Sequence, residues 1–387
     1  MENHDARKNG TLYESQPGTF SAHFRLSRVF IIVNTHRRRR ITQTELARRA
    51  GISQSSVSKI LADPDRAPFA PEVRERVVAL ARKHGCFKTH RPTRALAVLV
   101  RGNLNDFLTS TYYARFSQGL IPAADRAGYH VLFGCFPEDG RLPSLVADGK
   151  VDGALVHASR TGPPFQKGMA RLADEIPVVL LNGCLEHPAV SSVMPDNRGG
   201  IEQALLYLRD FGHSRIAYVG GGPDCENQHH DERVRTYRAF MERHGLPTCE
   251  DGIYLTKAAQ GNAFEATEAE MEAALTRFLA ARPAPTAVVA GADLMALALM
   301  RVAQRRGLRI PQDLSLTGYD NTEAGRYSTP RLTSVEQPLE EMARAAVGEL
   351  LSRLKRPLAP ARRLCFETTL EVRDSAALAR PRSPADA

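Results

Sequence analysis

The 387-residue sequence lacks the features that mark membrane, secreted and disulfide-linked proteins. No window approaches the roughly eighteen consecutive apolar residues that a transmembrane helix needs. The first ten residues, MENHDARKNG, are polar and charged, and they lack the apolar segment of a secretory signal. The six cysteines are scattered, with no Cys-x-x-Cys pair, which favours free, mostly buried thiols over a disulfide framework. We therefore expect a cytoplasmic protein that has no membrane partner.

Signatures of catalysis and of cofactor binding are also missing. The sequence contains no Gly-x-Ser-x-Gly elbow. The glycine-rich turn at 220–223 has neither the G-x-G-x-x-G spacing nor the following Lys-Ser/Thr of a nucleotide-binding loop. The residues of the cluster HHDE at 229–232 are adjacent, so on a helix they would point around the axis rather than toward one metal ion. We predict no enzymatic activity, no cofactor and no metal site.

What the sequence does contain is an uneven distribution of charge. The net charge is +9, but residues 1–94 hold 19 Lys and Arg against 8 Asp and Glu, a net of +11, and the remainder is net −2. A basic end on an otherwise near-neutral chain predicts a polyanionic partner, such as nucleic acid, for that end alone. The charge by itself is also compatible with a solubilising tail.

The basic end divides into an extension, a helical domain and a linker. Residues 1–40 have weak hydrophobic periodicity, and we interpret them as a basic, disordered extension. Residues 41–85 are predicted to hold three helices, the last of which begins at Pro71. Residues 86–94, CFKTHRPTR, form a short basic linker.

Local signals place the first two of these helices close together. Thr42 is a suitable N-cap for the first helix, with Glu45 three residues later as the second half of a capping box. Gly51 allows a sharp turn, and Ser53 is placed to cap the second helix. This arrangement predicts a helix-turn-helix.

The spacing of apolar residues supports that geometry. The apolar set that would join the two helices is Leu46, Ala47, Ala50, Ile52, Val57, Ile60 and Leu61. The exposed positions of the second helix would then be Gln54, Ser55, Ser58 and Lys59. Short hydroxyls, an amide and a cation suit hydrogen bonding to base edges and phosphates in the major groove of DNA. An αα-hairpin in some other helical domain is the alternative.

From residue 95 onward, short apolar strands alternate with amphipathic helices. The strand candidates are LAVLV, HVLFGC, GALVHA, PVVLL, RIAYVGG, AVVAG and LSLTGYD, and the helix candidates are 112–128, 198–211, 231–245, 264–281, 293–307 and 338–354. This alternation is typical of parallel βαβ units, so the fold class is α/β, with a core of parallel sheets over residues 95–374. Two units, 95–181 and 190–318, predict two similar lobes, with crossings at 183–195 and after Tyr319. Residues 375–387 are predicted to be a flexible tail without heptads.

Polar residues at the ends of predicted strands mark a ligand cleft between the lobes. Asn182, Asp293 and Asp320 each follow an apolar strand, and Arg233 begins a helix. Carboxylate and guanidinium groups together suit vicinal hydroxyls, so we expect a sugar or a sugar derivative, with Phe107 packing on its apolar face. Two alternatives remain open: Asp293 caps the helix after it, or Arg233 forms a surface salt bridge.

Motifs along almost the whole folded chain resemble one protein family. ELARRAGISQSSVSKIL and PEVRERVVALARKHG are similar to the DNA-binding head of the LacI family of bacterial repressors. The resemblance continues through VDGALV, IPVVLLN, PDNRGG, LRDFGHSRIAYVGG, RVRTYRAFMERHGL, PTAVVAGADLMALALM and PRLTSVEQPLEEMARAAVGELL. It implies a two-lobed core like that of periplasmic binding proteins, a homodimer and an operator site on double-stranded DNA.

The resemblance also implies roles for individual residues. Gln54, Ser55 and Lys59 match positions that contact bases, although relatives usually carry arginine where this chain has Lys59. Phosphate contacts are implied for Thr42, Ser53 and Ser58. Effector contacts are implied for Asn182, Arg233 and Asp320, whereas Ala292 stands where relatives commonly carry asparagine.

The linker departs from the family pattern. Relatives usually have a tyrosine after the glycine of the third helix, and then a short hinge helix whose leucine wedges into the minor groove. Here Cys86 follows Gly85, and about ten residues lead to the first core strand. We therefore hypothesise that the hinge helix is shortened or missing, and that the DNA is kinked less than in relatives.

These observations predict a ligand-responsive transcription repressor that binds operator DNA as a homodimer and is controlled by a sugar-like molecule. Two other interpretations remain. One is a cytosolic sugar-binding or sugar-processing protein whose basic head serves another purpose. The other is a regulator that senses a purine or another non-sugar metabolite.

Overall fold

The computed structural model describes residues 29–33, 42–62, 67–83, 92–102, 104–157, 162–221, 228–247, 252–256, 263–356 and 359–380. The predicted absence of a hinge helix concerns residues 84–91, which lie outside these ranges. The prediction about the turn at 220–223 depends in part on residues 222 and 223, and the metal prediction depends on side chains at 229–231. These residues and side chains also lie outside the described part of the chain.

The basic head is a three-helix domain, as predicted. Its helices are α1 (Gln43–Ala50), α2 (Gln54–Ala62) and α3 (Pro71–Lys83). Every member of the predicted apolar set packs into one cluster, and within that set all are buried except Ile52, which is partly exposed. The turn between α1 and α2 depends on Gly51, whose φ of 69° lies in the left-handed region that side chains disfavour.

The first lobe is built on a seven-stranded sheet. Its strands are β1 (Val29–Val33), β2 (Ala95–Val100), β3 (His130–Cys135), β4 (Gly153–His157), β5 (Val178–Leu181), β6 (Val190–Pro195) and β12 (Arg362–Phe366), in the spatial order β1-β12-β6-β5-β4-β2-β3. Its helices are α4 (Leu104–Thr109), α5 (Thr111–Arg126), α6 (Ser144–Ala147), α7 (Pro163–Glu175) and α13 (Leu339–Lys355). Apolar clusters cover both faces of the sheet, which explains why its central strands are continuously apolar.

The second lobe repeats this plan on six strands. They are β7 (Ile216–Gly221), β8 (Ile253–Thr256), β9 (Ala287–Ala290), β10 (Ser315–Tyr319), β11 (Thr333–Glu336) and β13 (Thr369–Glu371), in the order β13-β11-β10-β9-β7-β8. The helices are α8 (Asn197–Asp210), α9 (Gln228–Arg243), α10 (Ala263–Ala280), α11 (Asp293–Arg305) and α12 (Glu323–Arg326). Two further clusters cover its faces, so each lobe has its own core.

The chain crosses between the lobes three times. It leaves the first lobe between β6 and α8, returns between β11 and α13, and leaves again between β12 and β13. The prediction that residues 183–195 form a crossing was wrong, because β6 pairs in parallel with β5 inside the first sheet. The two later crossings lie after Tyr319, as predicted.

Both ends of the chain differ from the predictions. Residues 29–33, expected to be disordered, form β1 and pair antiparallel with β12. The predicted start of the flexible tail, residue 375, is too early, because residues 375–380 pack on the second lobe. There Ser375 is fully buried and donates to the Leu316 carbonyl at 2.6 Å, and His213 bonds the Ala377 carbonyl at 3.0 Å.

Three cysteines lie within the described ranges, and all three are free thiols. Cys135 is exposed, and Cys184 and Cys365 are half-buried, so the expectation of mostly buried thiols was wrong for these three. Across the described parts of the chain, no helix is both long and apolar enough to cross a membrane. In the same residues, no group of three or more His, Cys, Asp or Glu side chains is arranged to hold a metal ion.

Candidate ligand cleft and nucleic-acid interface

Helix α2 presents a polar strip to solvent. Over residues 54–61, the exposed side chains of this helix are the predicted set Gln54, Ser55, Ser58 and Lys59. On the opposite side of the helix, Val57 and Ile60 are fully buried against the rest of the head. The packing therefore leaves the polar face of α2 free to enter a groove of DNA.

Side-chain caps fix the start of α1 and of α2. Thr42 Oγ1 accepts a hydrogen bond from the Glu45 backbone N–H at 3.1 Å, and Ser53 Oγ accepts one from the Ser56 N–H at 3.1 Å. The second half of the predicted capping box is not used, because the Glu45 carboxylate bonds Arg48 and Arg49 instead. These arginines lower the pKa of Glu45 to about 2.

The wall of the cleft on the first lobe is a set of neutral hydrogen-bonding groups at the carboxyl ends of β4 and β5. Asn182 Nδ2 donates to the Tyr112 hydroxyl at 2.6 Å and lies 3.2 Å from His157 Nε2. The Tyr113 hydroxyl lies 3.3 Å from the other ring nitrogen of His157. Burial lowers the pKa of His157 to about 4, so its imidazole is neutral at physiological pH.

Phe107 lies behind this wall rather than on it. Its ring stacks on Tyr113 with centroids 4.3 Å apart and also packs against Phe133, and only 4% of the residue is exposed. Phe107 therefore does not present a face to a ligand in this structure. The aromatic rings in front of it are those of Tyr112 and Tyr113, which meet edge to face.

Arg233 of α9 forms the wall on the second lobe. Its guanidinium lies over the Tyr319 ring, 3.5 Å from the centroid, and it donates to Asn197 Oδ1 at 2.9 Å and to the Gly291 carbonyl at 2.5 Å. Arg233 is 5% exposed. The alternative of a surface salt bridge was therefore wrong, and the guanidinium is held in a fixed orientation at the cleft.

Asp320 connects this wall to the first lobe through Gln337. Gln337 Nε2 donates to Asp320 Oδ1 at 2.6 Å, and its Oε1 accepts from the Tyr112 hydroxyl at 3.2 Å. Asp320 has a φ of 111°, an uncommon backbone conformation for a residue other than glycine. Burial raises the pKa of its carboxyl to about 7, although the nearby positive charge of Arg233 opposes that rise.

Asp293 does not reach the cleft. It is fully buried, and its carboxylate accepts hydrogen bonds from the backbone N–H and hydroxyl of Thr322, at 2.6 and 2.9 Å, and from the Ser334 hydroxyl at 2.5 Å. The alternative of a helix cap was also wrong, because Ala292 occupies the N-cap of α11. Gly318 permits this arrangement, since a Cβ there would lie 2.2 Å from Asp293 Oδ1. Asp293 thus positions the segment that follows Asp320.

An opening of about 120 Å³ lies beside Tyr112 and Asp320, where the lobes meet. Its lining is Thr111, Tyr112, Ala114, Arg115, Gln118, Asp320, Thr322, Glu323 and Leu339. At its margin, Arg115 of α5 contacts Glu336 at the end of β11, with 2.6 Å between Nη2 and Oε1. An ion pair and the bonds of Gln337 therefore hold the two lobes together around one polar cleft.

Comparison with known proteins agrees with this architecture. The helix-turn-helix family matches residues 37–69, and the periplasmic binding protein-like domain family matches residues 205–376. The transcriptional regulator CelR of Thermobifida fusca is 30% identical over 353 residues, which are 88% of this chain and 99% of that protein. The chain belongs to the LacI family of transcriptional regulators. Family membership makes it a DNA-binding regulator with a two-lobed effector domain.

Another relative and one solved structure extend the comparison. The repressor PurR of Vibrio cholerae serotype O1 (strain M66-2) is 29% identical over 333 residues, which are 81% of this chain and 91% of that protein. A solved structure of CelR in complex with cellobiose is 28% identical in sequence, with a TM-score of 0.64. The match covers 87% of this chain and 100% of the CelR chain.

The structure brings three of the five predicted cleft residues together and adds others. Asn182 and Asp320 are linked through Tyr112 and Gln337, and Arg233 lies near enough to Asp320 to affect its pKa, whereas the side chains of Phe107 and Asp293 are enclosed by their neighbours. The cleft residues that the sequence did not predict are Tyr112, Tyr113, His157, Asn197 and Gln337. His157 carried a signal, because a polar residue at the end of the apolar strand GALVH follows the same pattern that identified Asn182.

Proposed function

We propose that this protein is a transcription repressor that binds operator DNA as a homodimer. A small neutral polyhydroxylated molecule, a sugar or a sugar derivative, either releases it from the operator or retains it there. The polar strip on α2 supplies the DNA contacts of each protomer. Two such strips in a symmetric dimer would meet two half-sites about one helical turn apart, or a multiple of that spacing.

One observation supports effector control most directly. A chain of hydrogen bonds runs from Asn182 through Tyr112 and Gln337 to Asp320, and so from the first lobe to the second. A ligand that hydrogen-bonds to the hydroxyl of Tyr112 or to the carboxyl of Asp320 would break hydrogen bonds that link the lobes and form new ones to itself. Such a ligand has different affinities for the two lobe arrangements, which is the requirement for coupling to DNA.

The chemistry of the cleft favours a neutral ligand rich in hydroxyl groups. Asn182, His157 and the two tyrosines supply neutral donors and acceptors, and the charges of Asp320 and Arg233 lie near enough to offset each other. A carboxylate beside a guanidinium bonds vicinal hydroxyls in both directions. The structure of the CelR relative with cellobiose supports the same class of ligand for this chain.

A purine is the second candidate. The PurR relatives support it, and so does the aromatic pair Tyr112 and Tyr113, whose rings suit stacking on a flat heterocycle. Thermal denaturation of the wild-type chain with a panel of sugars, nucleosides and purine bases separates the two, because a ligand that binds only the folded state raises the midpoint.

Exposed apolar side chains on the second lobe support the homodimer. Leu294 on α11 is 40% exposed, and Tyr327 beyond α12 is 79% exposed. Large apolar side chains exposed on a protein surface can mark a protein interface. Sedimentation equilibrium should give a dimer, and the substitution Leu294→Glu should shift it toward the monomer.

DNA binding itself is tested with the DNA upstream of the protein's own gene in a gel-shift titration over a series of salt concentrations. Sequence-specific binding that weakens steeply with salt supports the repressor. Weak binding without sequence preference would favour a sugar-binding protein whose basic head serves another purpose.

A further inference from the structure

Strand β1 precedes the head in the chain but belongs to the first lobe in space. It pairs antiparallel with β12, with Val29 opposite Phe366 and Val33 opposite Arg362. It is the outermost strand on that side of the sheet. A segment upstream of the DNA-binding head is therefore part of the effector domain.

The strand that follows the head lies in the same sheet. β2 is five positions away from β1 in the order β1-β12-β6-β5-β4-β2-β3. Because β1 is antiparallel to the others, its last residue, Val33, lies at the edge where the parallel strands begin, and so does Ala95 at the start of β2. The chain thus leaves the sheet toward the head and returns from it at the same end of the strands. Asn182 lies at the opposite end, where the parallel strands finish.

The maximum lengths of the two connections to the head are of the same order as the distance between their attachment points. Five strand spacings of about 4.8 Å place β1 and β2 about 24 Å apart. Residues 34–41 span at most about 30 Å and residues 84–94 at most about 40 Å. Helix α3 also comes close to α7 of the first lobe. Two anchors allow the head fewer orientations than a single linker would.

We propose that β1 is a strap that fixes the head to the first lobe at a second point and thereby strengthens DNA binding. With the strap paired, the head loses less orientational freedom when two heads engage two half-sites, because part of that freedom is already gone in the free protein. The strap also offers the head a connection to the lobes that does not pass through residues 84–94.

The full-length double substitution I31P/I32P tests this strap. Successive backbone N–H groups of a strand point to opposite sides, so one of two adjacent prolines necessarily removes an N–H that faces β12. The matched control is I31V/I32V, which keeps strand-forming residues at both positions. A second pair compares chains lacking residues 1–28 and 1–33, which carry the same charge because VFIIV has none.

Two readouts are needed. Amide hydrogen exchange of β12, residues 362–366, reports the pairing without DNA. The dissociation constant for a duplex that the wild-type chain has selected from random sequence reports the effect on binding. We expect faster exchange in β12 and about tenfold weaker DNA binding in I31P/I32P and in the chain lacking 1–33, with neither change in the two controls.

Two results would overturn the proposal. Unchanged exchange in β12 would mean that β1 does not pair there. Faster exchange with equal DNA affinity in I31P/I32P and I31V/I32V would mean that the pairing does not restrain the head.

Discussion

Replacing Asp320 with asparagine should stabilise the ligand-free protein at neutral pH and weaken effector binding at the same time. The amide has the same shape as the carboxyl, keeps an oxygen that accepts from Gln337 Nε2, and tolerates the φ of 111° at least as well as aspartate does. The substitution removes the charge and replaces one carboxyl oxygen with an amide NH2 group. A buried carboxyl at a binding site costs stability when it ionises, and the asparagine variant avoids that cost.

The magnitude of this effect is set by the pKa of Asp320. The pKa is about 7 in the folded protein, raised by burial, and an unfolded aspartate titrates near about 3.9. Between these pH values the folded chain keeps a proton that the unfolded chain has lost, so the free energy of unfolding falls as the pH rises. About three pH units correspond to at most ~4 kcal/mol. Because the Asp320 residue keeps some solvent exposure at the cleft, water screens part of its charge, and we expect ~1–2 kcal/mol.

The assay is denaturant unfolding of ligand-free wild type and D320N at several pH values from 4 to 8. The stability of the variant relative to wild type should grow by ~1–2 kcal/mol over that range. The substitution D125N, at an exposed position on α5, is the control and should leave the pH dependence unchanged. A difference between D320N and wild type that stays constant from pH 4 to pH 8 would contradict the raised pKa of Asp320. Effector affinity of D320N should fall by about tenfold or more.

Four further outcomes are expected. Q54A should reduce discrimination between operator bases by about 1–3 kcal/mol with little change in salt dependence, whereas K59A should lower the slope of log affinity against log salt by about 1, both measured by fluorescence titration at several salt concentrations. S53A should destabilise the head by about 1 kcal/mol in thermal denaturation followed by circular dichroism. S53D should restore that stability but weaken DNA binding, since it places a carboxylate beside phosphate. R233K should weaken effector binding by about tenfold in calorimetry, because lysine cannot lie flat on Tyr319 while it donates to both of the partners of Arg233.

The head was predictable because its geometry is set by neighbours in the chain. Leu46, Val57 and Ile60 recur at helical spacing, Gly51 allows the turn, and Ser53 caps α2. Each of these signals lies within about twenty residues of the next. The same holds for the apolar strands of the core, whose lengths and flanking helices already predict parallel sheets.

The cleft was only partly predictable, because one local pattern gives two different outcomes. Asp293 and Asp320 both follow an apolar strand of the second lobe. Ser334 and Thr322, which are distant from Asp293 in the chain, enclose its carboxylate, whereas Asp320 is left facing Gln337 and the first lobe. Phe107 was misjudged for a similar reason, since Tyr113 covers its ring.

Strand β1 was not predictable from local pattern. Five apolar residues in a polar region carry no periodicity, and their partner, β12, lies more than three hundred residues away in the chain. Pairing over such a separation depends on the edge of a sheet that forms from other segments. The docking of residues 375–380 depends in the same way on His213 and Ser315.

The most direct test of effector control is whether one small molecule alters operator affinity by binding in the cleft. The dissociation constant for a duplex selected from random sequence should be measured with and without a molecule that thermally stabilises the wild-type chain. We expect a change of about fivefold or more in wild type, a reciprocal change in affinity for the small molecule when DNA is present, and the loss of both in D320N. Equal DNA affinity with and without a molecule that demonstrably binds the cleft would contradict effector control.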